Sequence, residues 1–157
     1  MSSTIGRVRL LGGILRRIGD FNLSEFSERL RFQKTVYFLQ VFGIYLGYRF
    51  SWYVYGPYSP DLARDGFQWK PIRDQIPPIA FSNAETEKKF DDLLSFLGEH
   101  KKISRNLELL ASIHFLSRLD PKFSKEDIID RVKAKQWYFN EPVARKAWDY
   151  LGKFGLI

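Results

Sequence analysis

The sequence predicts a mainly α-helical domain of the α+β class. Apolar residues recur at helical spacing along most of the chain, residues 36–46 are almost continuously apolar, and residues 50–58 are dense in aromatic side chains. With 157 residues, of which 45% are hydrophobic and 17% aromatic, the chain can bury a substantial core. We therefore predict a central buried helix, a short aromatic strand after it, and a helix-turn-helix-like bundle at the carboxy terminus.

The first predicted element is an amphipathic helix over residues 5–18. Its apolar stripe consists of Val8, Leu11, Leu15 and Ile18. Arginines surround the stripe, so the helix is suited either to docking on the rest of the fold or to lying on an acidic surface. We favour docking, because the glycines of this segment lower its intrinsic helix propensity.

The second predicted helix runs from Leu23 to Tyr45 and is opened by a capping box made of Asn22 and Glu25. Beyond Lys34 nearly every face of this helix is apolar. A helix of that kind is normally buried on all sides, so we predict that it is the centre of the fold.

An aromatic strand is predicted over Tyr48–Tyr55, because aromatic residues have high strand propensity and Gly47 can end the preceding helix. Gly56 and Pro57 are expected to form the turn that follows it. Ser59 is then placed to cap the next helix, with Pro60 at the first helical position.

The run from Trp69 to Phe81 contains three prolines and is predicted to be an irregular connection. We expect residues 1–157 to form a single compact domain, and two sub-lobes, 1–80 and 81–157, joined near Pro71–Phe81, are the alternative. Ser82 is predicted to cap the helix after this connection.

Three short helices are predicted in the last third, capped in turn by Ser104, Ser124 and Asn140. The short connection between the last two gives the skeleton of a helix-turn-helix, and the segment 147–157 resembles the end of a recognition helix in winged-helix regulators. We expect a form without a wing, because Ile157 follows that helix closely. The predicted contacts to nucleic acid are Asn140, Arg145, Lys146, Lys153, Arg131, Lys133 and Lys135.

The formal net charge of +7 favours an acidic partner, and double-stranded DNA is the commonest one. A helical bundle whose basic face is only solvated has equal weight at this point. A homodimer is a further expectation, since many helix-turn-helix proteins dimerise on paired half-sites.

The sequence offers no group of residues with a recognisable catalytic, metal-binding or cofactor-binding pattern. We predict a non-enzymatic protein with no catalytic residue, no metal and no cofactor, and interpret His114 as a hydrogen-bonded core residue. The chain has no cysteine and no apolar run of the roughly 20 residues that a membrane span needs. A soluble, cytoplasmic protein without a membrane partner is the expectation.

The helix, strand and turn in the first half resemble the Panacea domain, the family that includes SocA-like antitoxins and GepA-like phage-associated proteins. The shared positions are Gln33-Lys34-x-x-Tyr37-Phe38-Leu39-Gln40, Phe50-x-Trp52 and Tyr55-Gly56-Pro57-x-Ser59-x-x-Leu62. The resemblance implies a small regulatory domain that neutralises a toxin by direct binding, or an adaptor that presents a protein for proteolysis.

We divide the motif residues by role. Lys34, Tyr37, Phe50 and Trp52 are predicted to build the fold. Exposed aromatic residues are the usual anchors of protein interfaces, and they also stack on bases. The predicted contacts to a protein partner are Tyr53, Tyr55, Gly56, Pro57 and Tyr58.

Overall fold

A computed structural model describes residues 2–157 and confirms the predicted mainly helical class with a small antiparallel sheet. The α-helices are α1 (Ser2–Leu15), α2 (Phe26–Val41), α3 (Pro60–Trp69), α4 (Ala84–Leu97), α5 (Ser104–Leu119), α6 (Lys125–Lys135) and α7 (Glu141–Lys153). The strands are β1 (Ser51–Tyr53) and β2 (Gly56–Tyr58), and 3-10 helices cover Lys70–Gln75 and Gly98–Lys102.

Helix α2 is the buried centre of the fold, as predicted, and every residue from Phe32 to Leu39 is buried. It packs against α4 and α5, where the ring of Phe38 meets that of Phe96 at 4.7 Å. The predicted boundaries were wrong. The helix begins at Phe26 because the Asn22 side chain accepts from Ser24 N–H in a preceding turn, and Gly43, at φ 100°, follows its end.

The predicted short strand is present, but its extent from Tyr48 to Tyr55 was wrong, because residues 51–58 form a hairpin of two strands. Trp52 pairs with Pro57 across the two strands, and Val54 and Tyr55 make the turn. Gly56 opens β2 at φ 90°, and a Cβ there would clash with the hydroxyl of Ser112 in α5. The Gly-Pro pair therefore lies within a strand packed on α5 and does not form the turn.

Helix α3 starts as predicted, since the Ser59 hydroxyl accepts from Leu62 N–H and Pro60 is the first helical residue. The connection after it is less irregular than expected, because Lys70–Gln75 continues as a 3-10 helix before residues 76–83, which have no regular structure.

Helix α1 ends at Leu15, before the predicted end at Ile18, and docks on the fold through Val8, Leu11 and Leu15. Ile18, in the turn that follows, is also buried. Arg7 in α1 forms a 2.7 Å ion pair with the fully buried Asp65 of α3. Arg17 makes two 2.8 Å hydrogen bonds to the carboxylate of Glu87 in α4. These arginines serve the fold, so they are not available to contact an acidic partner.

The predicted helix caps had mixed outcomes. Ser124 forms a complete capping box with Asp127, and Asn140 caps α7 by accepting from Val143 N–H. Ser82 and Ser104 were wrong as caps: Asn83 caps α4 by accepting from Thr86 N–H, whereas Ser104 is already the first residue of α5.

The last three helices pack against one another, and α5 also packs against α2 and β2. One hydrophobic cluster extends from Val8 in α1 to Leu151 in α7. Within residues 2–157, no helix combines the length and the apolar character needed to cross a bilayer.

Candidate protein-binding cleft

A cleft of about 420 Å³ lies between the first half of α2, the hairpin and α3. Aromatic and aliphatic side chains make up most of its walls. We call it the aromatic cleft, and it is lined by Leu23, Phe26, Arg29, Leu30, Phe32, Gln33, Lys34, Tyr53, Val54, Tyr55, Gly56, Tyr58, Ala63 and Phe67. Concave apolar surfaces with a few polar groups are the usual form of binding sites.

Buried hydrogen bonds from α2 hold the hairpin wall of the cleft. The Lys34 amine donates to Pro57 O at 2.6 Å. The Gln33 side chain donates to Ser59 O and accepts from Ser59 N–H, both at 2.9 Å. Because all of these groups are buried, the residues that resemble the Panacea motif act here as a rigid frame.

Glu108 of α5 lies close enough to Lys34 to affect its charge. Burial lowers the pKa of Lys34 to about 7, and attraction to Glu108 opposes that shift. Burial raises the pKa of Glu108, although Tyr138 donates a 2.7 Å hydrogen bond to its carboxylate. Burial removes both the Lys34 amine and the Glu108 carboxyl group from water, which disfavours the charged form of each.

Four large apolar side chains around the cleft remain in contact with solvent. Their exposed fractions are 49% for Phe26, 46% for Tyr53, 66% for Val54 and 62% for Phe67. Two of these rings make T-shaped pairs with the other tyrosines of the cleft. The ring centroids are 4.9 Å apart for Phe26 and Tyr55, and 5.1 Å apart for Tyr53 and Tyr58. A clustered apolar surface of this kind is typical of interaction sites.

The predicted protein contacts divide into two groups. Tyr53, Tyr55 and Tyr58 come together in the aromatic cleft, each at least partly accessible. Gly56 and Pro57 are buried, although Gly56 also lines the cleft. Their backbone is held between Lys34 and α5, and they support the tyrosines.

The cleft residues that sequence reasoning missed include Phe26, Arg29, Val54 and Phe67. Phe26 and Phe67 lie on different helices and become neighbours of the tyrosines only through packing. The sequence offers no local signal of their exposure, because each has an apolar neighbour at helical spacing, Leu30 for Phe26 and Ala63 for Phe67.

Most of the predicted nucleic-acid contacts have partners within the protein. Arg145 makes hydrogen bonds of 3.0 and 2.7 Å to Glu126, and these bonds raise its pKa. Lys133 donates to Glu141 at 2.9 Å. The side-chain oxygen of Asn140 accepts from Val143 N–H in the α7 cap.

The other basic residues of that set differ in their surroundings. Arg131 stacks on Phe123 at 4.1 Å, and Lys135 lies 4.3 Å from the centre of the Trp52 ring. Lys146 and Lys153 of α7 are exposed and have no ion-pair partner among residues 2–157. They line a second cleft of about 450 Å³ between α5 and α7.

The histidines are used structurally. His114 is buried, its Nδ1 is 2.6 Å from the Tyr37 hydroxyl, and burial lowers its pKa to about 4. His100 is half-buried beside Tyr150 and Asn106. Across the described part of the chain, no three histidine, aspartate or glutamate side chains come together as a metal-binding group.

Comparison with models of protein families, with curated proteins and with solved structures gives no match to this chain. The Panacea resemblance therefore stays a prediction.

Proposed function

We propose that this protein is a non-enzymatic regulatory module that binds a segment of a partner protein in the aromatic cleft. The observation that carries the proposal is the ring of partly exposed apolar side chains around a cleft whose walls are fixed by buried hydrogen bonds. Such a site costs little conformational entropy on binding, because the frame is already ordered.

The resemblance to the Panacea domain supports a partner of the toxin or proteolysis-target kind. The residues of that resemblance build one wall of the cleft, since Lys34 and Gln33 hold the strand that carries Tyr58. The absence of cysteine from the sequence supports a cytoplasmic location.

Selection of peptides from a displayed random library tests the proposal. We expect selected peptides to bind the wild-type protein and to lose about tenfold or more in affinity with Tyr53→Ala or Phe67→Ala. Tyr45→Ala is the matched control, because Tyr45 is a 71% exposed tyrosine outside the cleft. Peptides that bind all three variants with wild-type affinity would contradict the proposal.

DNA binding by α7 is the second candidate. It is favoured by the exposed ammonium groups of Lys146 and Lys153, which have no ion-pair partner within the described residues 2–157, and by the net charge of +7. Binding of duplex DNA should weaken with salt, with a log–log slope of about 0.9 per neutralised phosphate. Replacing both lysines with alanine should reduce that slope, whereas Lys88→Ala on α4 should not. If the protein does not bind duplex DNA at low salt, this second candidate function is contradicted.

A further inference from the structure

The aromatic cleft is lined by two basic residues, Arg29 and Lys34, and, within the described part of the chain, by no acidic residue. Lys34 is buried with a pKa of about 7, so Arg29 is the residue that carries a full positive charge at neutral pH. Neither has a carboxylate within ion-pair distance among residues 2–157. Arg29 is exposed at the rim, where its guanidinium donates to Leu23 O at 3.1 Å and lies 5.8 Å from the Phe26 ring. The cleft therefore presents a positive charge beside apolar walls.

The extent of the rim favours a protein segment over a small ligand. A molecule that fills the cavity would leave the outer surfaces of Val54 and Phe67 in water, and these are the most exposed parts of the rim. A longer chain covers the cavity and the rim together, which buries more apolar area.

The hairpin edge beside α2 does not favour addition of a further strand. Pro57 has no N–H, and its carbonyl is occupied by the Lys34 amine. Both backbone groups of Ser59 are occupied by Gln33. Recognition at this wall therefore depends on side chains that enter the cleft.

We propose that the aromatic cleft binds a protein segment in which a large apolar side chain is followed or preceded closely by Asp or Glu. The apolar side chain packs among Phe26, Tyr53 and Phe67, and the carboxylate pairs with Arg29. This inference rests on the proposed function and adds the chemistry of the partner. Opposite charge across an interface sets specificity more than total affinity.

The experiment repeats the peptide selection with wild type, Arg29→Glu and Arg49→Glu. Arg49 is an exposed arginine outside the cleft lining, so its variant has the same net charge as Arg29→Glu. We expect wild type and Arg49→Glu to enrich peptides with Asp or Glu beside an apolar anchor. Changing that acid to Asn or Gln should weaken wild-type binding about fivefold, and should have little effect on binding to Arg29→Glu.

Other outcomes overturn the inference in distinguishable ways. If the selected peptides require Tyr53 but show no preference for Asp or Glu, the inferred carboxylate of the partner is contradicted and the proposed protein-binding function is not. If neither Tyr53→Ala nor Phe67→Ala changes the affinity of the selected peptides, the proposed function is contradicted as well. If ultracentrifugation shows self-association and Phe67→Ser abolishes it, the occupant of the cleft is a second copy of the chain. If no peptide is selected and a small aromatic carboxylate binds tightly, the occupant is a metabolite.

Discussion

Lys34 connects the aromatic cleft to the core through a single buried amine. Its side chain is 1% exposed, it donates to Pro57 O at 2.6 Å, and Glu108 on α5 is the carboxylate that attracts it. Burying an amine is costly unless it is hydrogen-bonded, and its loss of charge near neutral pH is one way to reduce that cost. The amine fixes β2 because its acceptor is a backbone carbonyl.

The first prediction concerns the pH dependence of stability in Lys34→Met. The folded-state pKa of Lys34 is about 7, below its unfolded value of 10.5, so the unfolded state binds more protons between these values. Wild-type stability should therefore rise with pH from 7.5 to 9, by up to about 1.4 kcal/mol per pH unit from this group.

Chemical denaturation at several pH values measures this slope. Lys34→Met should lack the contribution, whereas Lys88→Met at an exposed position should retain it. Equal slopes in wild type and Lys34→Met would show that Lys34 does not lose its proton in the folded state.

A second prediction concerns His114 in acid. Its pKa of about 4 lies below the ordinary 6.5, so the unfolded state takes up a proton first as the pH falls. The folded protein should lose about 3 kcal/mol from this group between pH 6.5 and 4. His114→Gln, whose amide can either donate to or accept from the Tyr37 hydroxyl, should be less sensitive to acid in urea denaturation. An unchanged acid slope would contradict the prediction.

At the scale of elements, helix α1 carries glycines with opposite packing environments. A Cβ on Gly12 would lie 2.9 Å from Cδ1 of Trp69, whereas nothing lies within 4 Å of one on Gly6. The glycine at position 12 therefore permits the close approach of α1 to the end of α3, and its low helix propensity is offset by packing.

This difference predicts opposite results for the same substitution in one helix. Gly6→Ala should stabilise the protein by up to about 1 kcal/mol, because alanine is the better helix former. Gly12→Ala should destabilise it by about 1–2 kcal/mol, because overpacking against the Trp69 ring outweighs that gain. Thermal denaturation of both variants gives the comparison, and stabilisation by Gly12→Ala would contradict the packing account.

Elements whose signals are local could be predicted from the sequence, and those set by distant contacts could not. The stripe of α1, the cap of α6 and the cap of α7 each depend on residues within one or two turns. The hairpin was missed because the position of Gly56 is fixed by Ser112, which is far away in the chain. Aromatic density correctly indicated extended backbone but did not indicate where it turns.

At the scale of the whole molecule, the candidate site was only partly predictable for the same reason. Tyr53, Tyr55 and Tyr58 could be proposed because they are neighbours in sequence. The facing wall from Phe26 and Phe67 depends on how α2 and α3 pack. The sequence likewise could not reveal that Asp65 binds Arg7, since 58 positions separate them.

In the folded protein, several of the basic side chains are used in ion pairs. Arg7, Arg17 and Arg145 each pair with a carboxylate. A paired carboxylate reduces the local positive potential that these arginines offer to a polyanion. The distribution of charge thus gives DNA binding less support than the net charge alone.

The most direct test of the central claim is hydrogen exchange of the protein with and without a selected peptide. We predict that the peptide slows exchange of backbone amides in the first half of α2, the hairpin and α3, and leaves α6 and α7 unchanged. Protection confined to α6 and α7, or absent from the hairpin and α2, would contradict the assignment of the aromatic cleft as the partner-binding site.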